Sequence, residues 1–112
     1  MKTSLTARHF NMSDNVHDHA MVSMENLAKY FEHIVDVQMV LSKEKEHWEA
    51  EIIVGVPGTT LNAESQEDIL FSAIDDAIAK AERQLKKYKS KYLHEKDMRA
   101  ARQQGNPLKQ HR

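Results

Sequence analysis

The residues best suited to do chemistry in this 112-residue sequence are cations near its C-terminal end. On a helix with 100° between successive residues, four of them fall within an arc of about 80°, namely Lys80, Arg83, Lys87 and Lys91. We call these four residues the basic ridge; it is flanked by Lys86 and Lys89, and Glu82 is the only acidic residue between positions 77 and 94. Like charges on neighbouring turns repel one another, and phosphate groups would relieve that repulsion and release counterions. The pattern predicts binding to a polyanion, with a merely solubilising helix face as the alternative.

Charge is distributed unevenly along the chain, although the formal net charge is only −1. Residues 1–76 contain five Lys/Arg and fourteen Asp/Glu, whereas residues 77–112 contain eleven Lys/Arg and three Asp/Glu. The net charges of the two parts are therefore −9 and +8. Such asymmetry indicates a basic surface directed at a polyanion, with a solvated charged helix and tail as the alternative.

The sequence offers few candidate residues for catalysis, metal binding or cofactor binding. There is no cysteine, which excludes disulfides, thiolate metal sites and cysteine nucleophiles. The seven histidines are dispersed, and His17 and His19 would point about 200° apart on a helix. The sequence contains no HExxH motif, no glycine-rich phosphate loop and no serine nucleophile elbow. We therefore expect no enzymatic activity, no bound metal and no cofactor.

Apolar periodicity indicates the elements of the first two thirds of the chain. A strand is expected over residues 3–8, followed by a helix with Ser13 as its N-cap. The apolar stripe of this helix comprises Val16, Ala20, Met24, Leu27 and Phe31. Period-two patterns on either side of the charged segment 43–47 predict a β-hairpin, and residues 61–64 predict a short further strand.

A second, longer helical pattern follows Asp68. Its apolar residues are spaced alternately by three and four positions, at Phe71, Ile74, Ile78, Ala81, Leu85, Tyr88 and Tyr92. From about residue 95 the chain is polar, so we expect one domain over residues 1–94 and a basic, disordered tail over residues 95–112. The N-terminus has no apolar run typical of a signal peptide or membrane segment, which predicts a cytoplasmic protein without membrane contact.

The resulting order is βαβββα, an α+β fold. A right-handed crossover through the first helix makes the first two strands parallel neighbours, and the others follow as a meander to give a four-stranded mixed sheet. Because each helix has a single apolar stripe, both helices should cover one face of the sheet. This arrangement is similar to double-stranded-RNA-binding folds, although a fold alone assigns no function.

Three stretches form a recognisable pattern: residues 29–34 with 40–44, residues 56–64, and residues 73–75 with 81–89. The most specific part is the block Glu-Arg-Gln-Leu-Lys-Lys-Tyr-Lys at positions 82–89. Together with Arg8 and His9 at the end of the first strand, these stretches resemble the ribosome hibernation promoting factor family. Its members are also called ribosome-associated inhibitors or sigma-54 modulation proteins. The resemblance covers about residues 1–93.

The resemblance implies translation regulation by ribosome binding during stress and stationary phase. Family members bind the small ribosomal subunit between head and body, over the messenger channel and tRNA sites, and keep ribosomes inactive. By position, the residues implied to bind ribosomal RNA are Arg8, Lys29, Lys80, Arg83, Lys86, Lys87 and Lys91. Ribosomal RNA would be the partner of a protomer that is monomeric when free, and no small-molecule substrate is expected.

The chain departs from the family pattern in its first helix and its tail. Family members carry several lysines on the first helix, where this sequence has His17, His19, Ser23, Asn26 and Ala28. Among short members, one type promotes ribosome pairing, whereas the other has an acidic tail that opposes it. Residues 93–112 contain five Lys/Arg and two Asp/Glu, a net charge of +3, which favours the promoting type. The alternatives are a tailed inhibitor that opposes pairing, a generic module for structured RNA, and a protein adaptor that uses the acidic N-terminal part.

Overall fold

The computed structural model describes residues 1–103, and the side chains of residues 1–94. Its elements are β1 (Lys2–Arg8), α1 (Asp14–Ala28), β2 (Asp36–Lys43), β3 (Trp48–Val56), β4 (Thr59–Glu67) and α2 (Leu70–Gln103). The predicted βαβββα order is confirmed. Within the described residues, no helix combines the length and the apolar character needed to cross a membrane.

The strands form one mixed sheet in the order β1-β2-β3-β4. β1 and β2 are parallel, with Lys2 opposite Asp36 at one end and Arg8 opposite Ser42 at the other. The β2–β3 and β3–β4 pairs are antiparallel. The parallel pair results from the crossover through α1, as predicted.

β4 is longer than the short strand predicted over residues 61–64. It pairs with β3 along its whole length, from Thr59 opposite Val56 to Glu67 opposite Trp48. Only two residues separate the strands, and Gly58 adopts a φ of 85°, which glycine tolerates without steric cost. β4 lies at the edge of the sheet and one of its faces is exposed, so its sequence is largely polar. The apolar alternation was therefore too weak to predict the full length of the strand.

α1 begins where the sequence predicted. The side-chain oxygen of Ser13 accepts a hydrogen bond from the backbone N–H of Val16 at 3.2 Å, which satisfies one donor of the first turn. The predicted apolar stripe is confirmed: the buried residues of the helix are Val16, Ala20, Met24 and Leu27. Phe31, just beyond the helix end, is buried as well.

The buried stripe of α2 is rotated slightly from the predicted one. Its buried members are Leu70, Ala73, Ile74, Ala77, Ala81 and Leu85. Phe71, which the spacing placed in the core, is 40% exposed, and its ring meets His19 of α1 at a centroid distance of 5.0 Å. The alanines bring α2 close to the sheet, so the helix turns its small-residue side toward the strands and leaves Phe71 at the margin.

The predicted disordered tail, residues 95–112, lies partly outside the described residues. The backbone of α2 continues to Gln103. Residues 104–112 lie outside the described residues, as do the side chains from residue 95 onward. The domain boundary at residue 94 and the disorder of residues 95–112 therefore stay predictions.

Both helices cover one face of the sheet, as predicted. Their stripes share one core with Val37, Met39, Leu41, Ile52 and Val54 from the strands. The helices run in the same direction: His19 lies 2.7 Å from Asp75 near their starts, and the rings of Phe31 and Tyr92 are 5.3 Å apart near the end of α1. Among the described residues no element covers the opposite side, which we call the open face.

Candidate RNA-binding surface

Three cations of the basic ridge lie on the outer side of α2. The side chains of Arg83, Lys87 and Lys91 are exposed. None of the three forms an ion pair or hydrogen bond with a described side chain or backbone group. They follow one another at intervals of four residues, about 6 Å apart along the helix axis. We call these three residues the outer ridge; it can present three unneutralised charges in a row to a polyanion.

Lys80 does not point the same way as the outer ridge. Its Nζ donates a hydrogen bond to the backbone carbonyl of Glu64 at 2.9 Å and lies 3.3 Å from the carboxylate of Asp76. Two further side chains of α2 reach the same edge of the sheet: Gln84 donates to the carbonyl of Asn62, and Tyr88 donates to that of Pro57. The contacts of Lys80 and Gln84 cover open carbonyls of β4, where another strand could otherwise pair, and that of Tyr88 covers a carbonyl of the turn before β4. Lys80 therefore helps to protect the β4 edge of the sheet from pairing with another strand.

We expect Lys80→Ala and Lys87→Ala to affect RNA binding unequally. Lys87→Ala removes a free charge and should weaken ribosome binding about 8-fold at 0.1 M salt, the contribution of one phosphate contact. Lys80→Ala should weaken binding less than about 2-fold, because its charge is partly neutralised by Asp76. It should instead lower the free energy of unfolding by about 0.5–1 kcal/mol through the lost hydrogen bond. Binding curves and thermal melts of both variants check this, and equal losses of affinity would show that Lys80 turns outward on binding.

A second group of cations surrounds Tyr30, between the end of α1 and the middle of α2. Lys86 Nζ lies 5.2 Å from the centroid of the Tyr30 ring, and Lys89 Nζ donates a hydrogen bond to the Tyr30 carbonyl at 2.9 Å. Lys29 is the adjacent residue and is exposed. The structure thus brings together Lys29 and Lys86, which the sequence assigned to RNA binding, and adds Lys89. The sequence analysis placed Lys89 beside the basic ridge but did not assign it to RNA binding.

Arg8 lies apart from the other predicted RNA-binding residues. It ends β1, opposite Ser42, and lines a depression on the open face rather than on the helix side. Lys29 lies at the other end of α1, whose fifteen residues span about 22 Å. Arg8 and the outer ridge therefore lie on different sides of the sheet. Its assignment to RNA binding stays a prediction.

Charge is also divided along the helices themselves. Asp14 and Asp18 lie near the start of α1 and Asp75 and Asp76 near the start of α2, whereas the cations of α2 follow from Lys80 onward. Only Asp14 lies in the first turn of its helix, where a negative charge interacts favourably with the helix dipole. The positive potential is therefore concentrated at the end of the helix layer that includes Tyr30, the outer ridge and Lys29.

Histidines and carboxylates of the described residues form pairs rather than metal cages. His19 lies 2.7 Å from Asp75, and His47 lies 2.8 Å from Glu49. No group of three or more potential ligands within this part of the chain could hold a metal ion.

Comparison with known proteins identifies the family to which this chain belongs. A sequence model described as Sigma 54 modulation protein / S30EA ribosomal protein matches residues 3–93. The chain belongs to this family. The predicted membership and the fold class are thereby confirmed.

Individual relatives agree with this assignment. A protein of Pseudomonas putida named ribosome hibernation promoting factor is 26% identical over 91 residues, which cover 81% of this chain and 89% of the relative. The N-terminal domain of Protein Y from Thermus thermophilus superposes with a TM-score of 0.70 at 28% identity, covering 76% of this chain and 94% of that structure. A ribosomal subunit interface protein from Coxiella burnetii superposes with a TM-score of 0.75 at 22% identity, covering 80% of this chain and 99% of the other. The last likeness shows the fold alone.

Proposed function

We propose that this chain is a ribosome hibernation factor that binds ribosomal RNA of the small subunit through the outer ridge of α2. The observation that carries the proposal is the outer ridge, in which Arg83, Lys87 and Lys91 are exposed and have no partner among the described side chains. The name of the Pseudomonas putida relative supports the link to hibernation. The family's site over the messenger channel and the tRNA positions is part of the proposal.

Binding would rest on charge and shape rather than on base recognition. Lysine and arginine side chains neutralise phosphates and release counterions whatever the sequence of the RNA. Arg83 should contribute more than its neighbours, because a guanidinium can grip a phosphate through two parallel hydrogen bonds, which an ammonium cannot. A rigid helix that is anchored to the sheet at Leu85 holds these charges in fixed positions.

The proposed factor acts by occupying sites on the ribosome and performs no catalysis. It needs no cofactor, works in the cytoplasm as a monomer until it meets a ribosome, and keeps that ribosome inactive by covering the messenger and tRNA sites. The net charge of +3 over residues 93–112 favours promotion of ribosome pairing over its inhibition, since the opposing type carries an acidic tail. A basic tail adds attraction to RNA where an acidic tail would add repulsion.

Sedimentation with idle ribosomes tests the proposal. The purified protein is mixed with small subunits, with large subunits or with whole ribosomes and separated on a density gradient. We expect it to travel with small subunits and whole ribosomes, to be absent from isolated large subunits, and to increase the fraction of paired ribosomes. Equal binding to an unrelated duplex RNA at matched salt would instead indicate a generic module for structured RNA. Binding without an increase in pairing would favour the opposing type of factor.

A further inference from the structure

The open face of the sheet is acidic at its centre. On β3, Glu49 and Glu51 alternate with buried residues, and Glu64 on β4 lies directly opposite Glu51. The open face therefore has the opposite charge to the outer ridge, and it lies on the opposite side of the sheet from both helices. A surface of this kind is repelled by RNA and attracts cations.

Two of these glutamates form an unfavourable pair. Like charges directly opposite each other on neighbouring strands destabilise a sheet. Glu49 has partners, since its carboxylate is 2.8 Å from His47 and 3.4 Å from the amide nitrogen of Gln66. Glu51 and Glu64 have no cationic partner for their carboxylates among the described side chains, because Lys80 bonds the backbone carbonyl of Glu64. No cationic side chain among the described residues therefore neutralises these two carboxylates.

A depression with a volume of about 300 Å³ lies over these residues. It contains Ser42, which is only 8% exposed and whose hydroxyl has no hydrogen-bond partner among the described residues. Arg8 borders the depression on the β1 side and Lys80 on the β4 side, so the carboxylates occupy the middle. A hydroxyl that reaches solvent without a protein partner, beside carboxylates that form no ion pair, is an arrangement that a hydrogen-bonding cation completes.

We propose that the open face is a docking surface for an extended, arginine- or lysine-rich segment of a partner protein. One cationic side chain of the segment enters the depression, pairs with Glu51 and Glu64, and donates a hydrogen bond to Ser42. Basic arms of this kind are common on proteins that accompany nucleic acids. A chain whose α2 is bound to RNA would present its open face to such an arm. The docking surface itself does not depend on RNA binding.

The charges around the depression favour a cationic occupant supplied by another molecule. Glu51 and Glu64 form no ion pair with a described side chain. The two cations that border the depression, Arg8 and Lys80, flank these carboxylates without pairing with them. We therefore assign the occupant to a basic segment of a partner protein.

Titration with a synthetic nine-residue peptide tests the proposal. The probe has arginine at alternate positions and serine between them, because alternate side chains of an extended segment point the same way. Affinity is measured by calorimetry, and the contact surface is mapped by amide chemical shifts of the full chain. We expect shifts at Ser42, Glu51 and Glu64, and at least 10-fold weaker binding by the Glu51→Gln/Glu64→Gln variant. Its melting temperature should rise by about 2–4 °C, because the repulsion is gone.

Four further measurements separate docking from general attraction between charges. Glu25→Gln/Glu32→Gln removes the same charge from exposed positions elsewhere and should change the affinity less than 2-fold. Alanine at all three outer-ridge positions should leave peptide binding intact. Ser42→Ala should weaken it severalfold, through the lost hydrogen bond. Sedimentation of the chain alone over a range of concentrations identifies a second copy as the occupant if it self-associates, which would contradict a foreign partner.

Several results would overturn the proposal. One is an unchanged affinity of the Glu51→Gln/Glu64→Gln variant. A second is a set of shifts confined to Asp75 and Asp76 at the start of α2. A third is a peptide with glutamate in place of each arginine that binds as tightly as the arginine peptide, or more tightly. That result would mean that Arg8 and Lys80 form a binding site for anions. None of these outcomes bears on ribosome binding, so the two proposals fail separately.

Discussion

Replacing Arg83, Lys87 and Lys91 together by alanine is expected to lower the affinity for ribosomes about 10²–10³-fold at 0.1 M salt. Each phosphate contact makes log affinity fall by somewhat less than one unit for each tenfold rise in salt, so the three contacts together contribute just under three units of slope. The variant should therefore show a much flatter salt dependence than the parent chain. Since all three side chains are exposed, the melting temperature should change little.

The matched control removes the same charge from elsewhere in the molecule. Lys2, Lys43 and Lys45 are exposed and belong to the sheet and its hairpin turn, away from α2. Their joint replacement by alanine should lower affinity less than about 3-fold. If the outer-ridge variant folds normally and still sediments with ribosomes at moderate salt, the ridge is a solvated face and the RNA contact lies elsewhere. If both triple variants lose affinity equally, binding responds to net charge alone.

The fold could be predicted from the sequence because its determinants are local. Ser13 precedes a regular apolar stripe, and β2 and β3 alternate clearly around a charged turn. Handedness and the single stripe on each helix then leave few ways to join the elements. The length of β4 was the exception, because an edge strand with one exposed face gives little apolar alternation.

The arrangement of the candidate site could be predicted only in part. A helical wheel correctly groups Arg83, Lys87 and Lys91, since their separation depends on helix geometry alone. It also groups Lys80 with them, because it cannot show which lysine meets the backbone of a neighbouring strand. Contacts between distant segments, such as that of Lys89 with the carbonyl of Tyr30, depend on how α1 ends beside α2. Arg8 shows the same limit: its position along β1 follows from the sequence, but its distance from the other cations requires the assembled sheet.

The orientation of α2 on the sheet determines where the outer ridge points, and core substitutions test that orientation. Leu85 is fully buried, so Leu85→Ala should lower the free energy of unfolding by about 2–5 kcal/mol. Phe71 belongs to the same predicted stripe but is 40% exposed. Phe71→Ala should therefore cost only about 1 kcal/mol, mainly its ring contact with His19 and the remaining burial. Denaturant unfolding of both variants measures the difference.

Leu85→Met provides the control, because it preserves volume and should cost less than about 1.5 kcal/mol. A loss below half a kcal/mol for Leu85→Ala would mean that this side of α2 faces solvent. Equal losses for Leu85→Ala and Phe71→Ala would mean that the helix is rotated toward Phe71 and α1. That rotation would draw Lys80 away from the carbonyl of Glu64 and outward, where it would rejoin Arg83, Lys87 and Lys91 as a fourth exposed charge. The stability of two core variants thus decides whether three or four cations of α2 are available to bind RNA.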